Sequence, residues 1–172
     1  LPIQRLWGSR TLVGLFNSDR HERELACTWA DVGLADGEYH AVEFWTGAYL
    51  GRFADGAHVN VPPHGAALLC VTPADDARPL LLSTSFHAGQ GAADVSEWRY
   101  DRSRDEVRWH ARVGRHAVGT FMLWLPELWQ AGTITSTARA VSWRKGASGE
   151  LLVDAEIRGE AEFALRLERD GG

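Results

Sequence analysis

Residues 161–167 read Ala-Glu-Phe-Ala-Leu-Arg-Leu, and they decide the fold class. Phe163, Leu165 and Leu167 alternate with Glu162, Ala164, Arg166 and Glu168. A period of two puts one set of side chains in a core and the other in water, the signature of a half-buried strand. Working back from there, the same kind of signal recurs. It is present at 151–157, 134–143, 118–125, 107–111, 95–100 and 80–86. Val107 and Trp109 alternate with Arg108 and His110, while Val95, Glu97 and Arg99 oppose Ser96, Trp98 and Tyr100. Residues 101–105 (DRSRD) and 145–149 (KGASG) read as hairpin loops.

Further upstream, 11–17, 24–30, 39–45, 59–61 and 66–71 are extended runs. In the second of these Leu25, Cys27 and Trp29 share a face. The last, Ala-Leu-Leu-Cys-Val, is continuous enough for a fully buried strand. Turn residues separate them at Asn17-Ser18-Asp19, Ala35-Asp36-Gly37, Asp55-Gly56 and Pro62-Pro63-His64-Gly65. Short strands with turns every 8–12 residues or so predict a sandwich or barrel. Pro73 and Pro79 flank a polar run, the composition of a linker or long corner. The fold expected is therefore all-β: antiparallel β-sandwich, two consecutive small units with Greek-key-like connections, 1–74 and 75–172. Only 126–131 (PELWQA) offers a helical turn, with Pro126 at its first position.

The chain has 172 residues, 45% of them hydrophobic, which is enough for a core. Its net charge of −5, with acids and bases mixed, speaks against a nucleic-acid partner, which would want a basic face. No apolar run approaches the ~20 residues of a membrane span, so no membrane partner is expected. The chain opens on Leu1-Pro2, with no basic leader or small-residue cleavage site, and we expect a piece of a longer polypeptide. Cys27 and Cys70 lie in apolar stretches and read as buried thiols, with a bridge between them left open.

The stretch VGLFNSDRHERELACTWADVGLADGEYHAVEFWTGAYLG, followed by HVNVPPHGAALLCVTP, resembles the C-terminal antiparallel β domain of α-galactosidase (melibiase) glycoside hydrolases. The positions that carry the likeness are Phe16-Asn17, Trp29, Gly33-Leu34, Tyr39 with Trp45, and Pro63-His64-Gly65. Glu43-Phe44-Trp45 stands where the family often has Asp-Leu-Trp. The likeness covers roughly 11–73. In the second unit PLLLSTSFHAGQGA and Leu123–Pro126 (LWLP) resemble β-sandwich appendages of related glycosidases more loosely. The resemblance implies a catalytic (β/α)₈ barrel as the partner within a parent chain. A barrel needs about 200 residues or more with alternating helices, so the family's two catalytic aspartates have no positions here.

Candidate chemistry is sparse. Of Asp31, Asp36, Asp55, Asp94, Glu97, Asp105, Glu106 and Glu127, most fall in turns or on wet strand faces, and side-chain hydrogen bonds to the backbone explain the aspartates at turns. His21, His40, His58, His64, His87, His110 and His116 show no metal-ligand spacing, and no metal or cofactor is expected. Ser83, Ser85 and Ser96 lack a nucleophile elbow. Gly89-Gln90-Gly91 lacks the strand-to-helix context of a phosphate cradle. The eight tryptophans are the exception, because flat aromatic faces stack on sugars. Trp129, in a polar-flanked segment, is the best candidate for a carbohydrate contact, with His87 and Trp98 beside it; Trp98 and Trp109 also read as core. The functional expectation is a non-catalytic appendage of a glycoside hydrolase, with a carbohydrate-binding module as the alternative.

Overall fold

The computed structural model describes residues 1–5 and 8–169. It divides into two compact units, one formed by Leu1–Gln4 with Gly8–Ala74, the other mainly by the residues from Asp75 onward.

The first unit contains β1 (Pro2–Arg5), β2 (Gly8–Phe16), β3 (Arg23–Thr28), a single 3₁₀ turn (Ala30–Val32), β4 (Tyr39–Glu43), β5 (Ala48–Phe53), β6 (Gly56–Val61) and β7 (Ala66–Pro73). Five strands make one sheet in the order β1-β2-β7-β4-β5, and β3 pairs with β6 in a second. β7 therefore returns to lie between β2 and β4, and the chain crosses between sheets. Every pairing with a defined register is antiparallel. Alternation sets the core: Val13 opposes Leu69 and Leu15 opposes Ala67, and these join Tyr39, Ala41 and Val71 on one face. Trp29, Ala57 and Val61 from the two-stranded side fill the same core, with Trp29 and Tyr39 centroids 5.1 Å apart.

The turn after β2 is held by one side chain. Asn17 is buried; its Nδ2 donates to the carbonyls of His21, Val61 and Pro62 at 2.8–3.0 Å, and its Oδ1 accepts from Asp19 N–H at 2.9 Å. A single amide thus ties the end of β2 to the Pro62–Gly65 corner, where His64 adopts φ 51°.

The second unit contains β8 (Leu80–Thr84), β9 (Val95–Asp101), β10 (Glu106–Trp124), β11 (Trp129–Ser136), β12 (Ala140–Lys145) and β13 (Leu151–Arg169). β10 and β13 are 19 residues each and pair over most of their length, from Glu106 opposite Arg166 to Leu123 opposite Leu151. Toward one end β9 and β11 flank them; toward the other, β8 and β12 do. An extended strand would hold Trp109 and Phe121 about 40 Å apart at ~3.3 Å per residue. Their ring centroids are 5.5 Å apart, so the long ribbon folds over on itself.

The fold-over lies where the register shifts. Arg112 pairs with Glu160 and His116 with Arg158, so residues 113–115 face Gly159 alone. Gly114 (φ 69°) and Gly159 (φ 80°) supply backbone that a side chain would strain. The bulge adds two residues, an even number, so parity survives it. Odd-numbered side chains point inward on both sides: Val107, Trp109 and Ala111 before the bend, Phe121 and Leu123 after it. β13 does the same with Leu151, Val153, Ala155 and Ile157, then Ala161, Phe163, Leu165 and Leu167. One sheet face closes on itself around Trp109, stacked on Phe163 at 4.8 Å, with Phe121 edge-on to both.

Several sequence readings are corrected. Residues 107–111 with 118–125, and 151–157 with 161–167, are each one bent strand, because the glycines between them bend the backbone without ending the ladder. The stretch 134–143 is two strands, parted by a bend at 137–139 that no Gly or Pro announces. β1 and β5 lacked a clear alternation and were not anticipated. PELWQA is a turn closed by Trp129 N–H on Pro126 O at 2.9 Å, with no helix. Among the described residues no helix is long and apolar enough to cross a membrane.

Candidate functional site

The cavity best suited to a ligand lies in the second unit. It holds about 310 Å³ and is lined by Trp124 at the end of β10, Glu127 in the following turn, Trp129 and Gln130 opening β11, and Trp143 and Lys145 closing β12. Three of the unit's tryptophans meet here because the turn at Pro126–Trp129 reverses the chain and the folded-over ribbon brings Trp143 of β12 against Gly132 of β11. Trp143 Nε1 donates to Gly132 O at 3.0 Å, which pins the ring while 40% of the residue stays in solvent. Trp129 is half-buried against the core, and the Arg169 guanidinium sits 5.3 Å from its ring centroid. Its register partner on β13 is that same Arg169.

The rim is fixed by the β12–β13 hairpin. Glu150 is buried and accepts from Ser148 N–H at 3.0 Å, and its carbonyl accepts from Gly146 N–H at 2.7 Å. Lys145 and Glu127 are exposed, and neither side chain has a partner among the described residues.

A larger trough, about 710 Å³, runs over the outer side of the β9-β10-β13-β11 half and is lined by Glu97, Arg99, Arg108, His110, Thr135, Thr137 and Glu162. Its polar groups are largely engaged with one another: Glu97 with Arg99 at 3.5 Å, His110 Nδ1 with Ser96 Oγ at 2.7 Å. Trp109 and Phe163 also border it, but each is 2% exposed with its ring in the core, so the trough presents no aromatic face.

The sequence-predicted sugar contacts are not brought together. Trp129 lines the cavity. Trp98 is buried, tilted against Trp109 at 5.6 Å, and a ring sealed in the core has no surface to offer. His87 is exposed in the β8–β9 loop, its Nδ1 accepting from Gly89 N–H at 2.9 Å, and does not line the cavity. Trp124 and Trp143 were missed. Trp124 ends β10 and Trp143 lies within β12, and strand adjacency, which decides who meets whom, is not written in the local pattern.

Acid–base chemistry finds little support. Asp31 is held below the usual carboxylate range, first by the Thr28 hydroxyl and then by the Thr28 backbone N–H; Asp101 is lowered likewise by Ser103. A general acid at neutral pH needs the opposite shift. Burial pushes the Cys70 thiol up, against a nearby Arg10, and desolvation also raises Cys27, so neither is an activated nucleophile. Both cysteines are free; Cys70 is buried as expected, Cys27 only partly so, because β3 lies outside the five-stranded sheet. Asp94 is not on a wet face: it is buried, accepting from Thr84 Oγ1 and from Gly91 N–H, and so closes the 85–94 loop. Among the described residues no cluster of three or more His, Cys, Asp or Glu is placed to hold a metal.

In the first unit the exposed feature is apolar. Phe16 is 79% and Trp45 64% exposed. Phe16 opposes Ala66, and Phe44 N–H donates to Leu68 O at 2.9 Å, so β2, β7 and β4 bring these residues to one end of the sheet. Trp45 packs edge-on to Phe44 at 5.0 Å. Buried Glu43 shapes that turn: one carboxylate oxygen accepts from Thr46 N–H and Oγ1, both at 2.7 Å, and the other from Leu68 N–H at 3.3 Å.

The fold is thus that of an all-β protein of antiparallel sandwich type. Residues 3–71 match the family model of the alpha galactosidase C-terminal beta sandwich domain, and this stretch makes up most of the first unit. No curated protein matches the chain.

Proposed function

We propose that this chain is a non-catalytic C-terminal β region of an α-galactosidase-like glycoside hydrolase, and that its first unit packs against the catalytic (β/α)₈ barrel and stabilises it. The observation that carries this reading is the pair of large aromatics, Phe16 and Trp45, left in solvent on the matched domain. Single exposed apolar residues are ordinary, but neighbouring ones in a patch mark an interaction surface. The Glu43 carboxylate holds the 44–47 turn in place, so Trp45 is presented rather than loose. An interface between domains buries roughly 600–1,500 Å², and two aromatics would anchor one of that size.

The test starts with the coding sequence upstream of Leu1. A barrel with paired aspartates is expected there. Expressed as a separate chain, it should form a stable complex with residues 1–172, and the double variant Phe16→Ser, Trp45→Ser should dissociate it. An unrelated upstream domain, or a complex indifferent to both substitutions, overturns the reading. The chain alone should give no turnover of a chromogenic α-galactoside.

A second reading, a carbohydrate-binding module, is favoured by one observation: Trp124, Trp129 and Trp143 converge on one cavity beside the exposed side chains of Glu127 and Lys145.

A further inference from the structure

We infer that the Trp124–Trp129–Trp143 cavity of the second unit is a binding site for one ring of a neutral saccharide; this rests on the carbohydrate-binding reading and assigns its location. A sugar ring has an apolar C–H face and a hydroxyl-bearing edge. A matching site therefore needs a flat aromatic surface held still and hydrogen-bonding groups at its margin.

The cavity has both. Trp143 is the platform: 40% of it is exposed, and its indole N–H is anchored on Gly132 O, so its plane is set before any ligand arrives. Such preorganisation lowers the entropy lost on binding. Trp129 is the wall. Arg169 covers one side of its ring and does not line the cavity, which leaves the other side for a ligand. At the margin Glu127 offers an acceptor and Lys145 a donor.

The two charges are opposite and cancel, so a charged ligand gains nothing net over a neutral one. Hydroxyl groups, which both donate and accept, suit the pair. The cavity of about 310 Å³ lies at the small end for ligand sites, which suits a single ring. A site this small binds weakly, with Kd on the order of 1 mM.

The experiment titrates the whole chain with galactose, melibiose and galacturonate, following tryptophan fluorescence and heat. Near-ultraviolet circular dichroism checks that each variant is folded. A saturable response to galactose or melibiose is expected, with galacturonate no better. Trp143→Ala should weaken it at least tenfold, and Glu127→Ala with Lys145→Ala several-fold. Trp45→Ala, in the other unit, should leave it unchanged. No saturable response from the unaltered chain sinks the carbohydrate-binding reading and this site with it. Binding that survives Trp143→Ala and the double rim variant overturns the site alone, and preference for galacturonate overturns the neutral ligand.

Discussion

The two units solve the same problem by different means. The first brings two separate sheets of short strands, none longer than the 9 residues of β2, to face each other. The second takes one sheet built on two 19-residue strands and folds it over. In the first, turns do the organising, so a polar side chain such as Asn17 carries the architecture. In the second, an unbroken inward parity does it, so the decisive residues are aromatic and lie where the folded face meets itself. An even-numbered bulge matters as much as any contact, since an odd one would turn half the core outward.

The contrast predicts where each unit is weakest. The largest effect belongs to the second unit. Phe121 is fully buried between Phe86, Trp109 and Phe163, at centroid distances of 5.0–5.5 Å, and its ring spans the fold-over. Phe121→Ala should cost about 3–5 kcal/mol, read from denaturant unfolding of that unit. A loss near 1 kcal/mol would mean the two halves of the ribbon do not depend on that contact.

Next comes the first unit's polar anchor. Asn17→Ala leaves the carbonyls of His21, Val61 and Pro62 without their donor and should cost about 1–3 kcal/mol. Hydrogen exchange at Asp19 N–H, which Asn17 Oδ1 accepts, should accelerate. Unchanged exchange there would show that the corner holds without the amide.

The smallest effect tests the bend itself. Gly159 has open space around a would-be Cβ, so Gly159→Ala meets no clash, only the left-handed backbone at φ 80°. About 1–2 kcal/mol of destabilisation is expected, measured as a lowered melting temperature. A neutral result would place the origin of the bend in β10, at Gly114.

Much of this architecture was legible because alternation is a local property. The all-β class, the hairpins at 101–105 and 145–149, and the inward sets of β10 and β13 all follow from it. What escaped was whatever depends on partners. Gly159 reads as a strand breaker until it is seen opposite a bulge. Ser96 reads as one more alternating residue, yet Trp98 pairs with Trp109 and Val95 with Ala111, so the register slips at Ser96 and both Val95 and Trp98 turn inward. β5 (AYLGRF) half-buries neighbouring positions and shows no period to find. The candidate site was legible only in Trp129, whose polar flanks marked it; Trp124 and Trp143, on the strands just before and after, join it through the turn at 126–129 and the fold-over, which no local period announces.

β13 pairs with β10 from Leu151 to Arg166 and also pairs with β11 and β12, so it is the common neighbour of three strands made before it. On the ribosome those three emerge without their shared partner. The second unit cannot close its sheet until residue 169 clears the exit tunnel, several seconds after β10 at about 5–20 residues per second. Throughout that interval the aromatic face of β10 is exposed to chaperones or to other nascent chains, and premature termination anywhere in β13 leaves it so.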